Sequence, residues 1–205
     1  EPWISEFAEN SAEPGSNLAS IGVYVFRTEA LKHVFKMGSE RQMVDFGHEV
    51  IPFLIEDGRA QIYRFEQYWR DVGTLQSYWE ANMEQLADLP PLNLYDPEWR
   101  IHTRSEERPP AKIMDHSQVS RALLSNGCIV IRGTVEHSVL SPGVVVHEGA
   151  VVRNSIVMTD AVIGPGAQLD HCIIDKRVQV GRGAVLGYGD DYTANWLEPT
   201  RLNTG

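Results

Sequence analysis

The chain has 205 residues, 42% hydrophobic and 22% charged, an ordinary globular balance with room for one large core or two small ones. A formal net charge of −10 argues against a nucleic-acid or anionic-membrane partner, since neither polyanion gains by releasing counterions to such a surface. No run approaches the roughly 20 apolar residues of a membrane span, and no charged-then-apolar leader opens the chain.

The chain begins at Glu1-Pro2-Trp3 within a strand-like run, as a portion of something longer would. Ile21-Gly22-Val23-Tyr24-Val25-Phe26 is a continuous apolar, β-rich run, the pattern of a strand buried on both faces. Thr28 is placed to cap a helix carrying Leu31, Val34 and Phe35, and a second helix is expected from Phe46 to Ile55, broken by Asp57-Gly58. Gln61 to Phe65 alternates as a half-exposed strand. From Thr74 to about Leu86 the helical period returns, with Leu75, Tyr78, Trp79, Met83 and Leu86 on one face. Strands alternating with helices predict an α/β layer over residues 1–88, and a partial layer leaves a sheet edge unpaired.

Residues 89–114 hold five prolines: Pro90, Pro91, Pro97, Pro109 and Pro110. That composition predicts an ordered connector without regular structure. Trp99 and Ile101 are expected to be buried, so the connector should be packed. Cys128 and Cys172, far apart and without Cys-x-x-Cys spacing, predict free thiols in a cytoplasmic protein.

From about Asp115 to Gly187 the sequence has a period of six. Val139, Val145, Val151, Val157, Ile163 and Leu169 mark it, with small residues four positions after each of the first five: Gly143, Gly149, Ser155, Ala161 and Ala167. An α-helix turns roughly 100° per residue and cannot keep every sixth residue on one face; a plain strand has period two. Stacked three-sided coils satisfy the pattern, with the aliphatic and small positions both pointing inward. Residues 115–205 therefore read as a left-handed β-helix of hexapeptide repeats, a scaffold and assembly surface. Its His137, His147 and His171 lie in no ligand pattern with carboxylates and read as turn residues.

Chemistry is expected in the first segment. Asp71, in Tyr68-Trp69-Arg70-Asp71-Val72-Gly73-Thr74, stands where a strand passes into a helix, and an exposed carboxylate there suits Mg²⁺ held jointly with substrate phosphates. Capping of the following helix, or pairing with Arg70, explains the same residue equally well.

Ser16-Asn17-Leu18-Ala19-Ser20-Ile21-Gly22-Val23-Tyr24-Val25-Phe26, Asp45-Phe46-Gly47-His48-Glu49-Val50-Ile51-Pro52, residues 68–74 and Pro109-Pro110-Ala111-Lys112-Ile113 together resemble the bacterial ADP-glucose pyrophosphorylases. The resemblance runs through essentially the whole chain, as the C-terminal portion of such an enzyme. It implies an α/β nucleotidyltransferase segment (Rossmann-like) before the β-helix, and a nucleotidyltransferase reaction making ADP-glucose and pyrophosphate from ATP and glucose 1-phosphate, toward glycogen or starch. It further implies Asp71 on Mg²⁺, and Glu9, Ser20 and Tyr24 at glucose 1-phosphate. It also implies a homotetramer built through the β-helix and effectors that are sugar phosphates or nucleotides, for which Arg121, Arg132, Arg153 and Arg182 are candidates.

Two departures stand out. Ile4 to Ser11 aligns with the family's Glu-Lys-Pro element but places Asn10 where lysine is expected, and a neutral donor holds a phosphate less strongly than a charged one. No Gly-x-Gly-x-x-Arg-like loop occurs in these residues, so the chain alone should not bind ATP in the family's way and should be inactive, with no catalytic residue of its own. Both departures leave open a non-catalytic regulatory or structural subunit. A hexapeptide acyltransferase would need a trimer and a pantetheine groove, which the first segment gives no reason to expect.

Overall fold

In the computed structural model, the described residues are 3, 4, 7, 16–41, 43–58, 60–104 and 106–188, the side chains of residues 39–41 excepted. Packing divides the chain into two compact units, Glu1–Gln67 and Tyr68–Gly205.

In the first unit, helix α1 spans Thr28–Arg41, starting at the residue expected to cap it and running beyond the expected stretch. Asp45 caps the next helix by accepting the His48 amide, while the Glu49 carboxylate reaches back to the amides of Val44 and Asp45. That reciprocal cap opens a wide π-helical turn, Phe46–Val50, which tightens into α2, Ile51–Glu56. Pro52 falls in the first turn of α2, where a missing N–H costs little. Gly58, at φ +64°, ends it. Val34, Val50 and Leu54 form a small core with Phe26, Met43, Phe53 and Ala60 packed on it.

The expected strands form no ladder. Among the described residues the only bridge in this unit joins Trp3 to Gln61, and residues 21–26 carry no ladder. Val25 is 97% exposed and Val23 70%, the reverse of a strand buried on both faces. The physical reason is that a strand's pairing and cover come from neighbours distant in sequence, and none of the described residues supplies them.

The second unit holds α3 and the β-helix. Thr74 caps α3, Leu75–Glu84, in a reciprocal box with Ser77. Its expected face is real except at Leu75, which stays exposed: Met83 and Leu86 are buried with Ile156, and Tyr78, Trp79, Leu123, Val139 and Ile173 close round them.

The β-helix consists of short parallel strands in three sheets, five, five and four strands deep among the described residues. Each strand pairs with one a full coil away: Val130 lies beside Val146, Val146 beside Ile163, Ile163 beside Val180. Those steps are 16, 17 and 17 residues, so the coil is not three sides of six. One side has five residues in each 17-residue coil, and two sides do in the 16-residue coil, from Val130 to Val135 and from Val135 to Leu140. The inward residues Leu140, Val146, Val152, Val157, Ile163 and Leu169 are fully buried. This corrects the period-six reading, in which Val139, Val145 and Val151 fill the interior. They face outward, and the short side shifts the uniform series onto the inner positions only from Val157.

The same shift corrects the small residues. Ala150, Ser155, Ala161 and Ala167 are buried, but Gly143 and Gly149 sit at corners with φ +76° and +70°. Each corner stacks residues of positive φ: Arg121, His137, Asn154 and His171 in one column, and His116, Arg132, Gly149, Gly166 and Gly183 in another. A left-handed conformation costs most side chains roughly 1–2 kcal/mol, least for Asn and Asp, and it is also enriched in His. That explains three of the histidines as backbone choices.

The connector is docked only at its end. Arg108 forks onto Asp160, and Pro109 accepts the Gly127 amide at 2.6 Å. Trp99 is 79% exposed and Ile101 is exposed too, against expectation, because no apolar surface of the described chain lies over them.

Candidate functional site

Ser20 and Tyr24 are brought together. The Ser20 and Tyr24 hydroxyls lie 3.2 Å apart, and Ser20 Oγ accepts the Gly22 amide at 3.2 Å. Gly22 has φ +73°, a conformation that its lack of a side chain permits. Behind them the Tyr24 ring stacks on Phe46 at 6.4 Å, and Phe26 tilts against both. Two hydroxyls on an exposed turn, backed by aromatic rings, can donate to a sugar or its phosphate. Sequence reasoning missed Phe46 and Glu49 as supports of this turn. Their signal was the spacing of Asp45 and Glu49 around Phe46. Glu9 and Asn10 lie outside the described residues.

Asp71 belongs to the second unit. The two bland explanations of it fail in the structure. Thr74, not Asp71, caps α3, and Arg70 is taken by Glu80 and by Glu84, the latter at 2.7 Å. Tyr68 also donates to Glu84 at 2.7 Å, a bond to a carboxylate that pushes the phenol pKa up. Among the described residues the exposed Asp71 carboxylate takes no hydrogen bond or ion pair. Its oxygens lie 3.2 and 3.4 Å from where a Cβ would stand on Gly73, so only glycine there leaves them unobstructed. An uncommitted carboxylate with this clearance fits a hard divalent cation as one ligand.

On the β-helix, Arg132 pairs with Glu148 at 2.8 Å and Arg153 with Glu136 at 3.1 Å. Arg182 borders a shallow recess with Arg132, His147 and Glu148, and Arg121 borders another with Met83, Leu86 and His137. His137 donates from Nδ1 to Asn154 Oδ1 at 2.9 Å, Asn154 donates to Asp170 Oδ1 at 2.7 Å, and His171 Nδ1 meets that same oxygen at 2.7 Å. Among the described residues no group of three or more His, Cys, Asp or Glu side chains is arranged to hold a metal. Cys128 is buried, which raises its pKa, and Cys172 is half-buried.

Comparison with known proteins gives these arrangements a context. Residues 2–88 match the nucleotidyl transferase family and residues 109–201 the GlmU-like, C-terminal hexapeptide family. A glucose-1-phosphate adenylyltransferase of Thermomicrobium roseum is 61% identical over 205 residues, covering 99% of this chain and 48% of that protein. One from Acetivibrio thermocellus is 42% identical over 98% of the chain and 48% of its own length, and one from Fervidobacterium nodosum 44% identical over 92% and 46%. The chain spans about half the length of the curated relatives it matches. The expected fold class stands: a nucleotidyltransferase segment followed by a hexapeptide-repeat left-handed β-helix. By both segments in this order, and by identity along nearly all of its length, the chain is a relative of the glucose-1-phosphate adenylyltransferases.

Proposed function

We propose that this chain is the sugar-phosphate side and the β-helix portion of a cytoplasmic nucleotidyltransferase that makes ADP-glucose and pyrophosphate from ATP and glucose 1-phosphate, for glycogen or starch. The observation that carries the reading is 61% identity to a glucose-1-phosphate adenylyltransferase across 99% of the chain. The hydroxyl pair of Ser20 and Tyr24 supports it, as does the uncommitted carboxylate of Asp71. In this reading Ser20 and Tyr24 hold glucose 1-phosphate together with Glu9, and Asn10 adds a neutral donor. Asp71 is a ligand of Mg²⁺, which when bound offsets charge developing on the phosphates. The β-helix would assemble a homotetramer and take sugar-phosphate or nucleotide effectors.

Calorimetric titration of glucose 1-phosphate tests the reading. Ser20→Ala should weaken binding about fivefold or more, the effect of one lost hydrogen bond to a charged group, and Asn10→Lys should tighten it. The 205-residue chain alone should form no ADP-glucose. Binding indifferent to both substitutions would contradict the assignment of this subsite, and ADP-glucose synthesis by the chain alone would contradict the division of the site.

A further inference from the structure

The loop bearing Asp71 has few anchors of its own. Asp71 and Val72 are exposed, and among the described residues every side-chain bond of residues 68–73 goes to α3: Tyr68 to Glu84, and Arg70 to Glu80 and Glu84. The loop then runs straight into the Thr74 cap of the same helix. The position of Asp71 is therefore set by the position of α3.

The opposite face of α3 is fixed by the β-helix. Trp79 donates from Nε1 to the Asn154 carbonyl at 2.7 Å and stacks on His171 with ring centres 5.3 Å apart. Both contacts fall on the one corner column where Arg121, His137, Asn154 and His171 succeed each other. The column is itself cross-braced, since Asn154 joins His137 to Asp170 and His171 shares Asp170. Below it, Met83 and Leu86 seat on Ile156. Trp79 and Glu80 are neighbours in sequence and point to opposite partners, one to the corner and one to Arg70. A capped helical segment of this length does not bend between them.

We infer that α3 is a rigid bridge through which the β-helix sets the Asp71 loop for its divalent cation, making Trp79 and Arg70 positioning residues. The inference rests on the reading of Asp71 given above. It explains why outward residues of this one β-helix side, Leu123, Val139, Ile156 and Ile173, are all apolar, and why the corner carries a braced polar column under a tryptophan. A displacement of about 1 Å at a reacting centre can cost as much as a hundredfold in rate, so such a brace has catalytic consequence without touching substrate.

The test uses the whole chain with Mn²⁺ as probe. Trp79→Phe keeps the ring and removes the N–H; Arg70→Lys keeps the charge and removes the fork. The amides of residues 70–73 donate no hydrogen bond among the described residues, so order there is read by ¹⁵N relaxation: it should fall in Trp79→Phe, while residues 129–180 keep their exchange protection. Half-saturation of Mn²⁺ broadening at residues 70–73 should move to severalfold higher concentration in both variants. A purely structural role would lower the unfolding temperature and leave Mn²⁺ affinity unchanged, and that result overturns the inference. So does unchanged backbone order at 70–73 when residues 78–82 exchange faster. If Mn²⁺ broadens nothing at 70–73 in the unaltered chain, the metal assignment of Asp71 falls instead, and the relaxation data still decide whether the β-helix holds the loop.

Discussion

Val25 and Val152 sit in similar company, each in a run of β-branched and apolar residues, yet one is 97% exposed and the other fully buried. The difference lies in where each strand's neighbour comes from. In the β-helix the neighbour is one coil away, about 17 residues along the same chain, and every coil both covers and is covered. In residues 16–67 the neighbours of a sheet must come from remote sequence, and the described residues contain no such partner for 21–26. Repetition makes one region self-sufficient; the other has no repeat to supply its neighbours.

The largest expected effect separates the two regions by a single deletion. Leu169→Ala should cost about 2–5 kcal/mol in chemical unfolding, as for a fully buried leucine, while Val25→Ala should stay within roughly 0.5 kcal/mol. A comparable loss at Val25 would show that residues 21–26 find cover. The next test concerns the short coil. Between Val130 and Val135 the chain is one residue shorter than between Val146 and Val152, and a Cβ on Gly133 would stand 2.9 Å from Val146 and 3.1 Å from the His147 carbonyl. Gly133→Ala should therefore cost about 1–3 kcal/mol by overpacking, read by thermal unfolding. Gly166→Ala, with open space but φ +71°, should cost nearer 1 kcal/mol.

The smallest effect is a pH dependence of the connector. The Arg108 guanidinium holds the Asp160 carboxyl below its usual range. A depressed carboxylate contributes docking that is present above its unfolded pKa, near 4, and is lost as pH falls through its lower folded value. Protection of the Gly127 amide, which donates to the Pro109 carbonyl, should accordingly fall relative to its intrinsic exchange rate below about pH 4, and Asp160→Asn should lower it at neutral pH.

Much of this was legible in the sequence, for reasons that differ by residue. The stacked coils were legible because every coil repeats the same sterics, and α3 because Leu75 to Leu86 carried an apolar stripe behind a Thr cap. The short sides were hidden because Val139, Val145 and Val151 are outward valines that mimic the inner series. Of the three only Val139 lies on the side that α3 covers, together with Leu123, Ile156 and Ile173. His137 and His171 read as turn residues for want of a ligand pattern, and their φ values of 45° and 53° put them at a corner. Asp71 was ambiguous until Arg70 and Thr74 proved to be engaged elsewhere, which only coordinates reveal.

Although it falls within the nucleotidyl transferase match, α3 is part of the β-helix unit. Hydrogen exchange over the whole chain tests this directly. The prediction is that amides 78–84 share the slow exchange of Ile156–Val157, with residues 18–27 exchanging quickly. Amides 78–84 exchanging as fast as 18–27 would contradict it.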